Sequence, residues 1–192
     1  MKKVLLSLSL LALTAGVTTF QSCDLKDKIK DAANIDYDFS FDGASAEFDL
    51  PIMTDLNNTM YPDTVTVPLE LASQISQYAQ YVQMDDIQSV TLESASLEIL
   101  DGNATNDISN FETALIAFYT DSNPDVKYIA SNDVIPNTPA TTVQLAVAPG
   151  INLLDYMQTG TNIYYSAGVN LRKVTTKTLR CKLVVKYKVD FK

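Results

Sequence analysis

The chain has 192 residues, a formal net charge of −9 from 14 basic and 23 acidic side chains, and no histidine. This length suits one domain with an adequate core. The acidic balance disfavours nucleic-acid-binding proteins, because they gain affinity mainly from Lys and Arg that neutralise phosphates. The missing histidine excludes Ser-His-Asp and Cys-His hydrolysis, and also the zinc and non-haem iron sites that use histidine ligands.

The N-terminal segment has the pattern of an export signal. Lys2 and Lys3 precede a mostly apolar run over residues 4–17. This run is too short to cross a membrane comfortably as a helix, but it fits the apolar region of a signal peptide. The small Ser22 then precedes Cys23. The pattern predicts a signal peptide over residues 1–22, with Cys23 as the first residue after cleavage.

These first 23 residues resemble a bacterial lipoprotein precursor, although Phe20 and Gln21 replace the usual Leu and the usual Ala or Ser. In that family the cysteine sulfur receives a diacylglycerol, and the mature protein carries two or three acyl chains such as palmitate. The resemblance implies lipid attachment at Cys23 and anchoring to a membrane. The alternative is an ordinary secreted protein in which Cys23 is incidental.

The resemblance also implies where the protein lies in the cell. We expect an exported protein, lipid-anchored to a bacterial membrane and either periplasmic or surface-facing. Asp24 resembles an inner-membrane retention signal, whereas residues 24–31 resemble a surface-export signal, so both locations stay open. Residues 23–34 are interpreted as the lipidated anchor and a solvated tether, with a short helical stalk as the alternative. No later stretch reaches 18 apolar residues, so we expect no transmembrane helix in the mature chain.

Apolar residues alternate with polar ones from residue 35, which is typical of half-buried strands. The pattern predicts a hairpin from strands 35–42 and 46–52, with Gly43 in its turn, and a final hairpin from strands 162–171 and 178–191. A bulge near residues 93–95 reconciles two opposite phases within strand 89–100. The other predicted elements are strands 64–71, 111–120, 126–130 and 141–148, and helices 72–83 and 149–160. Residues 111–120 are apolar in both phases, as in a central strand, with a helix as the alternative.

These elements predict a mainly β fold in which residues 35–192 form one antiparallel β-sandwich, Ig-like or jelly-roll-like, with two short connecting helices. The sequence lacks the alternation of strands with long helices that parallel sheets require. A β-barrel is the alternative. Cys181 falls in the apolar phase of the last strand, so we expect a buried thiol that fills space. With Cys23 lipidated, no intramolecular disulfide forms.

Charge is segregated along the chain. Residues 31–171 contain 20 acidic residues and one basic residue, a net charge of −19, whereas residues 172–192 contain eight basic residues and one acidic residue, a net charge of +7. Opposite charges facing each other across strands stabilise a sheet by roughly 0.2–1 kcal/mol per pair. We therefore predict that the C-terminal strand lies beside strand 35–42 or strand 46–52. The alternatives are a merely solvated basic face, or contact with anionic lipid headgroups or surface glycans.

One polar segment has the spacing of a calcium loop. Its oxygen-bearing side chains occupy positions 1, 3, 5, 7, 9 and 12, as in EF-hand and dockerin loops. The favoured interpretation is a plain turn between strands, because turns need the same residue types. Calcium is the only cofactor that the sequence suggests. The candidate ligands are Asp101, Asn103, Thr105, Asp107, Ser109 and Glu112.

No catalytic residue can be assigned, because the sequence has neither a glycine-rich phosphate loop nor a GxSxG motif. Tyr78, Tyr81 and one of Tyr164 and Tyr165 are candidates for stacking on sugars or lining a protein contact, or else for partial burial at the sheet rim. The leading hypothesis is a non-catalytic cell-envelope lipoprotein whose domain binds an unknown protein or glycan partner, or has a structural role. The alternatives are a surface adhesin or assembly subunit that exchanges its C-terminal strand, and a carboxylate-dependent hydrolase.

Overall fold

Antiparallel pairing joins every strand in the part of the chain that the computed structural model describes, residues 39–62, 64–69, 71–73 and 84–192. The protein is mainly β, with eight strands in one nearly closed sheet of order β1-β8-β3-β6-β5-β4-β7-β2. The strands are β1 (Phe39–Leu50), β2 (Val65–Pro68), β3 (Ile87–Ile99), β4 (Phe111–Thr120), β5 (Lys127–Asn132), β6 (Thr142–Val147), β7 (Asn162–Leu171) and β8 (Leu179–Phe191).

Helical structure in this part of the chain is short. One α-helical turn, α1, covers Leu154–Met157, and 3-10 turns cover Met84–Asp86 and Ile108–Asn110. The predicted helix over 149–160 is thus reduced to α1, whose first backbone N–H, that of Leu154, donates to the Asn152 side chain. Residues 71–73 are helical, and the rest of the predicted helix over 72–83 lies outside the described residues, as do the signal peptide, Cys23 and the tether. Among the described residues, no helix has the length and apolar character needed to cross a membrane.

The predicted bulge in the third strand is confirmed. The register between β3 and β8 shifts between Leu92 and Ser94. An extra residue at this point reverses the alternation, so that Val90 and Leu92 before it and Leu97 after it are all buried. The bulge therefore keeps a 13-residue strand apolar on its inner face along its whole length.

The N-terminal hairpin prediction is wrong. Strand β1 runs without a turn from Phe39 to Leu50, and its register with β8 shifts between Asp42 and Ala44. Gly43 occupies this irregularity, where a Cβ atom would lie only 2.2 Å from Cε2 of Tyr187. The glycine is therefore explained by the close approach of an aromatic ring to the backbone, which is a second common reason for glycine within a strand.

The C-terminal hairpin prediction is also wrong. Strand β7 pairs with β2 and β4, whereas β8 pairs with β1 and β3. The connection between them is tied to other loops by Arg172, whose guanidinium donates to the carbonyl oxygens of Ser109 at 3.1 Å, Phe111 at 3.0 Å and Ile135 at 2.6 Å. These hydrogen bonds hold the chain as it crosses from one part of the sheet to another.

The charge-based prediction is confirmed, because β8 lies directly beside β1 along the length of both strands. Lys182 of β8 lies opposite Glu47 of β1 on one side and opposite Glu98 of β3 on the other. Arg180 forms an ion pair with Glu47. The basic outer side of β8 is thus placed between two strands that carry acidic side chains.

The inner side of β8 runs through the middle of the core. Cys181 is fully buried with a free thiol, as its apolar phase predicted. Burial is the main cause that raises the pKa of this thiol to about 12, assisted by the negative charges of Asp101 and Asp49. The thiol therefore stays protonated near neutral pH. The buried row comprises Leu179, Cys181, Leu183, Val185, Tyr187 and Val189.

Two tyrosine hydroxyls meet inside the core. Tyr165 of β7 and Tyr187 of β8 are completely buried, and their hydroxyl groups are hydrogen-bonded to each other. Burial raises the pKa of both phenols well above the ordinary value, so both stay neutral. Phe118 of β4 packs edge-on against Tyr165, with ring centroids 5.8 Å apart. Strands β7 and β8 are not neighbours in the sheet, so this hydrogen bond links separate parts of it.

Removing either hydroxyl should destabilise the fold, because the hydrogen bond between these two buried groups is lost. We expect Tyr165→Phe and Tyr187→Phe each to lower the free energy of unfolding by about 1–3 kcal/mol. The double variant should lose less than the sum of the two, since both single variants remove the same hydrogen bond. Urea denaturation measures all three values, with Tyr164→Phe as a matched control. Strictly additive losses would contradict this account.

Reversing the charge of Lys182 should place like charges opposite each other on both sides of β8. We expect Lys182→Glu to lower the free energy of unfolding by about 1 kcal/mol at low salt and by less at high salt. Lys182→Gln is the control, because it removes the attraction without adding repulsion. Equal losses for the two variants in low-salt denaturation would show that the acidic neighbours do not act on β8.

Candidate functional site: an uncharged tyrosine face

The outward side chains on two parts of the sheet differ in charge. Strands β1, β8 and β3 carry Glu47, Arg180, Lys182 and Glu98 outward. The outward side chains in the middle of β2, β4, β5 and β7 are uncharged, and they alternate with buried residues such as Phe118. The exposed Glu112 and Lys127 lie at the beginnings of β4 and β5. We call this second surface, together with one adjoining residue, the tyrosine face. It consists of Tyr61, Thr66, Thr113, Leu115, Ala117, Tyr119, Tyr128, Ser131, Tyr164, Ser166, Gly168 and Asn170.

Tyr61 lies on this face because the segment before β2 runs alongside β7. The backbone of Met60 pairs with that of Val169 through two hydrogen bonds of 2.9 and 3.0 Å. The next residue, Tyr61, places its ring over Gly168, where a Cβ atom would lie 2.7 Å from Cε1 of the ring. The absence of a side chain at Gly168 therefore creates the seat that Tyr61 occupies.

Tyr61 also interacts with Tyr128, which belongs to β5. Burial, followed by the neighbouring Tyr128 phenol, raises the pKa of Tyr61 above its ordinary value. Because β4 lies between β5 and β7 in the sheet, Tyr61 reaches across β4 from its seat on Gly168. Both rings remain accessible, since Tyr61 is 51% exposed and Tyr128 is 58% exposed.

A second pair of tyrosines lies further along the same strands. Tyr119 of β4 is directly opposite Tyr164 of β7, and their rings stack with centroids 4.8 Å apart and planes 9° apart. Four residues separate Gly168 from Tyr164 along β7, which corresponds to roughly 13 Å of strand. The tyrosine face thus presents two aromatic pairs at different points along one rigid sheet.

A cleft adjoins the first aromatic pair. It has a volume of about 300 Å³ and is lined by Asp49, Pro51, Tyr61, Pro62 and Thr178. Its volume is at the lower end of the range of small-ligand sites. Tyr61 is common to the cleft and the tyrosine face, so the two form adjoining surfaces.

In the candidate calcium segment, residues 101–112, polar side chains form hydrogen bonds within the protein. The Asp101 carboxylate accepts from Lys177 Nζ at 3.0 Å and from the backbone N–H of Arg180 at 2.9 Å. The hydrogen bond from Lys177 is the main cause that holds the pKa of Asp101 below its ordinary value. Asn103 Oδ1 accepts from the backbone N–H and the hydroxyl of Thr105, at 3.0 and 2.9 Å.

The second half of that segment caps a 3-10 turn. The Asp107 carboxylate accepts the backbone N–H of Ser109 at 2.7 Å, and Asn110 closes the reciprocal contact to the backbone N–H of Asp107 at 3.1 Å. Glu112 is exposed on β4. Across the described residues, no three His, Cys, Asp or Glu side chains lie close enough together to hold a metal ion. Asn103, Asp107 and Asn110 thus act as turn and capping residues in this structure.

The tyrosines singled out from the sequence lie in different environments. Tyr165 is in the core, whereas the adjacent Tyr164 lies on the tyrosine face, and Tyr78 and Tyr81 lie outside the described residues. Sequence reasoning missed three members of the face. Tyr119 and Tyr128 could have been found from the phase opposite to the buried residues of their strands. No sequence signal indicated Tyr61, because it precedes its strand.

No protein-family model matches this sequence, and no curated protein matches it. The function is therefore inferred from the residues and geometry of the chain itself.

A methyl group at Gly168 should displace Tyr61 from its seat. We expect Gly168→Ala to bring the pKa of Tyr61 back toward its ordinary value of 10.0, because the ring loses burial and its contact with Tyr128. Titration of ¹³C-labelled tyrosine followed by NMR measures this value, with Ser166→Ala as a control on the same strand and face. An unchanged Tyr61 pKa in Gly168→Ala would refute the seating of the ring.

Proposed function

We propose that the protein is a non-catalytic lipoprotein of the bacterial cell envelope that binds a ligand at the tyrosine face. One observation carries the binding function: partly exposed tyrosines from β4, β5, β7 and the segment before β2 converge on a surface without charged side chains. Accessible aromatic rings on a rigid scaffold are typical of recognition surfaces.

The proposed location and anchor rest on the N-terminal sequence. Lys2, Lys3, the apolar run over 4–17 and the Ser22-Cys23 pair support export and lipid attachment at Cys23. Two or three acyl chains would hold the protein stably at a membrane. The tyrosine face would then meet its ligand in the periplasm or at the cell surface.

We further propose that the sheet forms a β-sandwich, with β1, β8 and β3 in one layer, β5, β4, β7 and β2 in the other, and β6 shared between them. Two observations support this arrangement. Strands β5 and β6 are paired through only two residue pairs, Ala130 with Val147 and Ser131 with Ala146. In addition, Tyr165 and Tyr187 extend from the two proposed layers until their hydroxyls meet. A barrel closed between β1 and β2 is the alternative.

Strand exchange is disfavoured for the C-terminal strand. Strand β8 is paired on both sides, with β1 and β3, and its inner row is buried. Donating it to a neighbouring molecule would break both ladders and expose the core. A donated strand is more easily taken from the edge of a sheet.

The described carboxylates give no support to acid catalysis. A general acid needs a pKa raised toward the working pH. The three described carboxylates with shifted pKa values, Asp55, Asp101 and Asp121, are all lowered, and the main cause in each case is a side-chain hydrogen bond, from Asn58, Lys177 and Thr161 respectively.

Replacing the proposed lipidated cysteine should release the protein from the membrane. We expect Cys23→Ala to move the protein from the membrane fraction to the soluble fraction and to abolish incorporation of labelled palmitate. Cell fractionation and metabolic labelling measure the two effects. Cys181→Ala is the matched control, because the buried thiol of Cys181 is not an acylation site. If Cys23→Ala stays in the membrane fraction, the protein is not anchored through this residue.

A further inference from the structure

The chemistry of the tyrosine face indicates the class of its ligand. We propose that an uncharged polysaccharide lies along this face, an inference that rests on the proposed binding function and names the ligand for it.

Stacking is the first argument. The face of a tyrosine ring is electron-rich, so it attracts the C–H groups on the flat side of a sugar ring. The Tyr61–Tyr128 pair and the stacked Tyr119–Tyr164 pair lie at different points along the strands. Tyr128 is level with Ser166, roughly 7 Å of strand from Tyr164, and Tyr61 sits on Gly168, roughly 13 Å from Tyr164. A chain of sugars can contact both pairs at once, whereas a single small sugar can contact only one.

The polar side chains on the face supply the second argument. Thr113, Ser131 and Ser166 are half-buried and carry hydroxyl groups that both donate and accept hydrogen bonds. Sugar hydroxyls have the same dual character. These three residues lie on three adjacent strands: Ser166 follows Tyr164 by two residues, Ser131 is level with Gly168, and Thr113 is opposite Asn170. Stacking with hydrogen-bonding groups between the rings is the combination that fits a hydroxyl-rich chain.

Charge decides between neutral and anionic polysaccharides. The tyrosine face has no charged side chain, and the loops at its strand ends contain Asp121, Asp125 and Asp133. Lys127 is the only basic residue between positions 31 and 171. An anionic chain would therefore meet no compensating positive cluster and would be repelled by an acidic protein.

The tyrosine face lacks several of the side-chain types that anchor protein interfaces. Besides tyrosine, these anchors are Trp, Phe, Arg and Met, and none of them is among the residues of the face. Leu115 is the only aliphatic residue larger than alanine in the tyrosine face. Leu115 is half-buried. A Cβ atom on Gly168 would lie 3.0 Å from Leu115 Cδ1 and 2.7 Å from Tyr61 Cε1, so both side chains cover this glycine. The cleft beside Tyr61 extends the surface with Asp49 and Thr178, whose oxygens can bind sugar hydroxyls.

Native affinity electrophoresis of the purified full-length protein tests the proposal. The gels contain one of four neutral polysaccharides: mixed-linkage β-glucan, arabinoxylan, galactomannan or soluble starch. Polygalacturonate is the anionic comparison. We expect at least one neutral polysaccharide to slow migration and polygalacturonate to have no effect.

Variants then locate the binding surface. We expect Tyr128→Ala and Tyr164→Ala each to raise the dissociation constant roughly tenfold, because each removes one stacking ring. Tyr128→Phe should keep most of the affinity, since the ring remains. Val134→Ala is the control: Val134 is 78% exposed but lies in the loop after β5, outside the face. Thermal unfolding verifies that each variant is folded.

The outcomes separate this proposal from the one on which it rests. Binding to none of the four neutral polysaccharides, stronger binding to polygalacturonate, or affinity unchanged in both alanine variants would overturn the carbohydrate assignment. If photo-crosslinking in whole cells then captures an envelope protein only when Tyr128 and Tyr164 are present, the face binds a protein, and the binding function stands. If binding of polysaccharides and cross-linking of a protein are both independent of Tyr128 and Tyr164, the proposed binding function of the face is wrong as well. Membrane anchoring through Cys23 is measured independently.

Discussion

The position of β8 between β1 and β3 is the constraint on which the rest of the structure depends. Its inner side chains have to be buried, and its outer side chains carry four of the nine basic residues between positions 35 and 192. Only neighbours with an apolar inner side and an acidic outer side satisfy both conditions at once. Strands β1 and β3 do so, since Glu47 and Glu98 lie on either side of Lys182. Apolar burial supplies most of the stability, and charge selects the neighbours.

The division of charge also explains why an uncharged face exists. The basic residues are concentrated in the C-terminal segment, and Lys127 is the only basic residue on β2, β4, β5 or β7. Apart from Lys127 and Glu112, which lie at the beginnings of β5 and β4, these strands carry uncharged side chains, which avoid repulsion between like charges. Aromatic pairs across strands, such as Tyr119 with Tyr164, contribute favourable contacts in their place. The surface proposed to bind a neutral ligand is therefore also a stable surface for the sheet.

Alternation in the sequence was sufficient to locate individual strands but not to predict how they connect. Residues 162–171 and 111–120 were predicted with the same bounds as β7 and β4, although residues 111–120 were predicted from an apolar character in both phases and not from alternation. Both predicted hairpins failed, since Gly43 and the segment after β7 are also compatible with turns. What excludes a turn is distant in sequence: the Tyr187 ring above Gly43, and the three carbonyl groups that Arg172 reaches. The β1–β8 pairing was predicted because charge is a signal that does not depend on sequence separation.

Local alternation likewise accounts for only part of the tyrosine face, and the rest depends on contacts between residues distant in sequence. Outward tyrosines within strands follow from alternation, but the place of Tyr61 depends on a missing side chain at Gly168, more than 100 positions further along the chain. The arrangement leaves one polar atom unsatisfied, because Asn170 Oδ1 is shielded from water and has no hydrogen-bond donor among the described residues. A buried acceptor without a donor costs about 1–3 kcal/mol. Folding stability alone would favour an apolar residue at position 170. Asn170 directly follows Val169, whose backbone pairs with Met60, so this cost arises where the segment that seats Tyr61 meets β7.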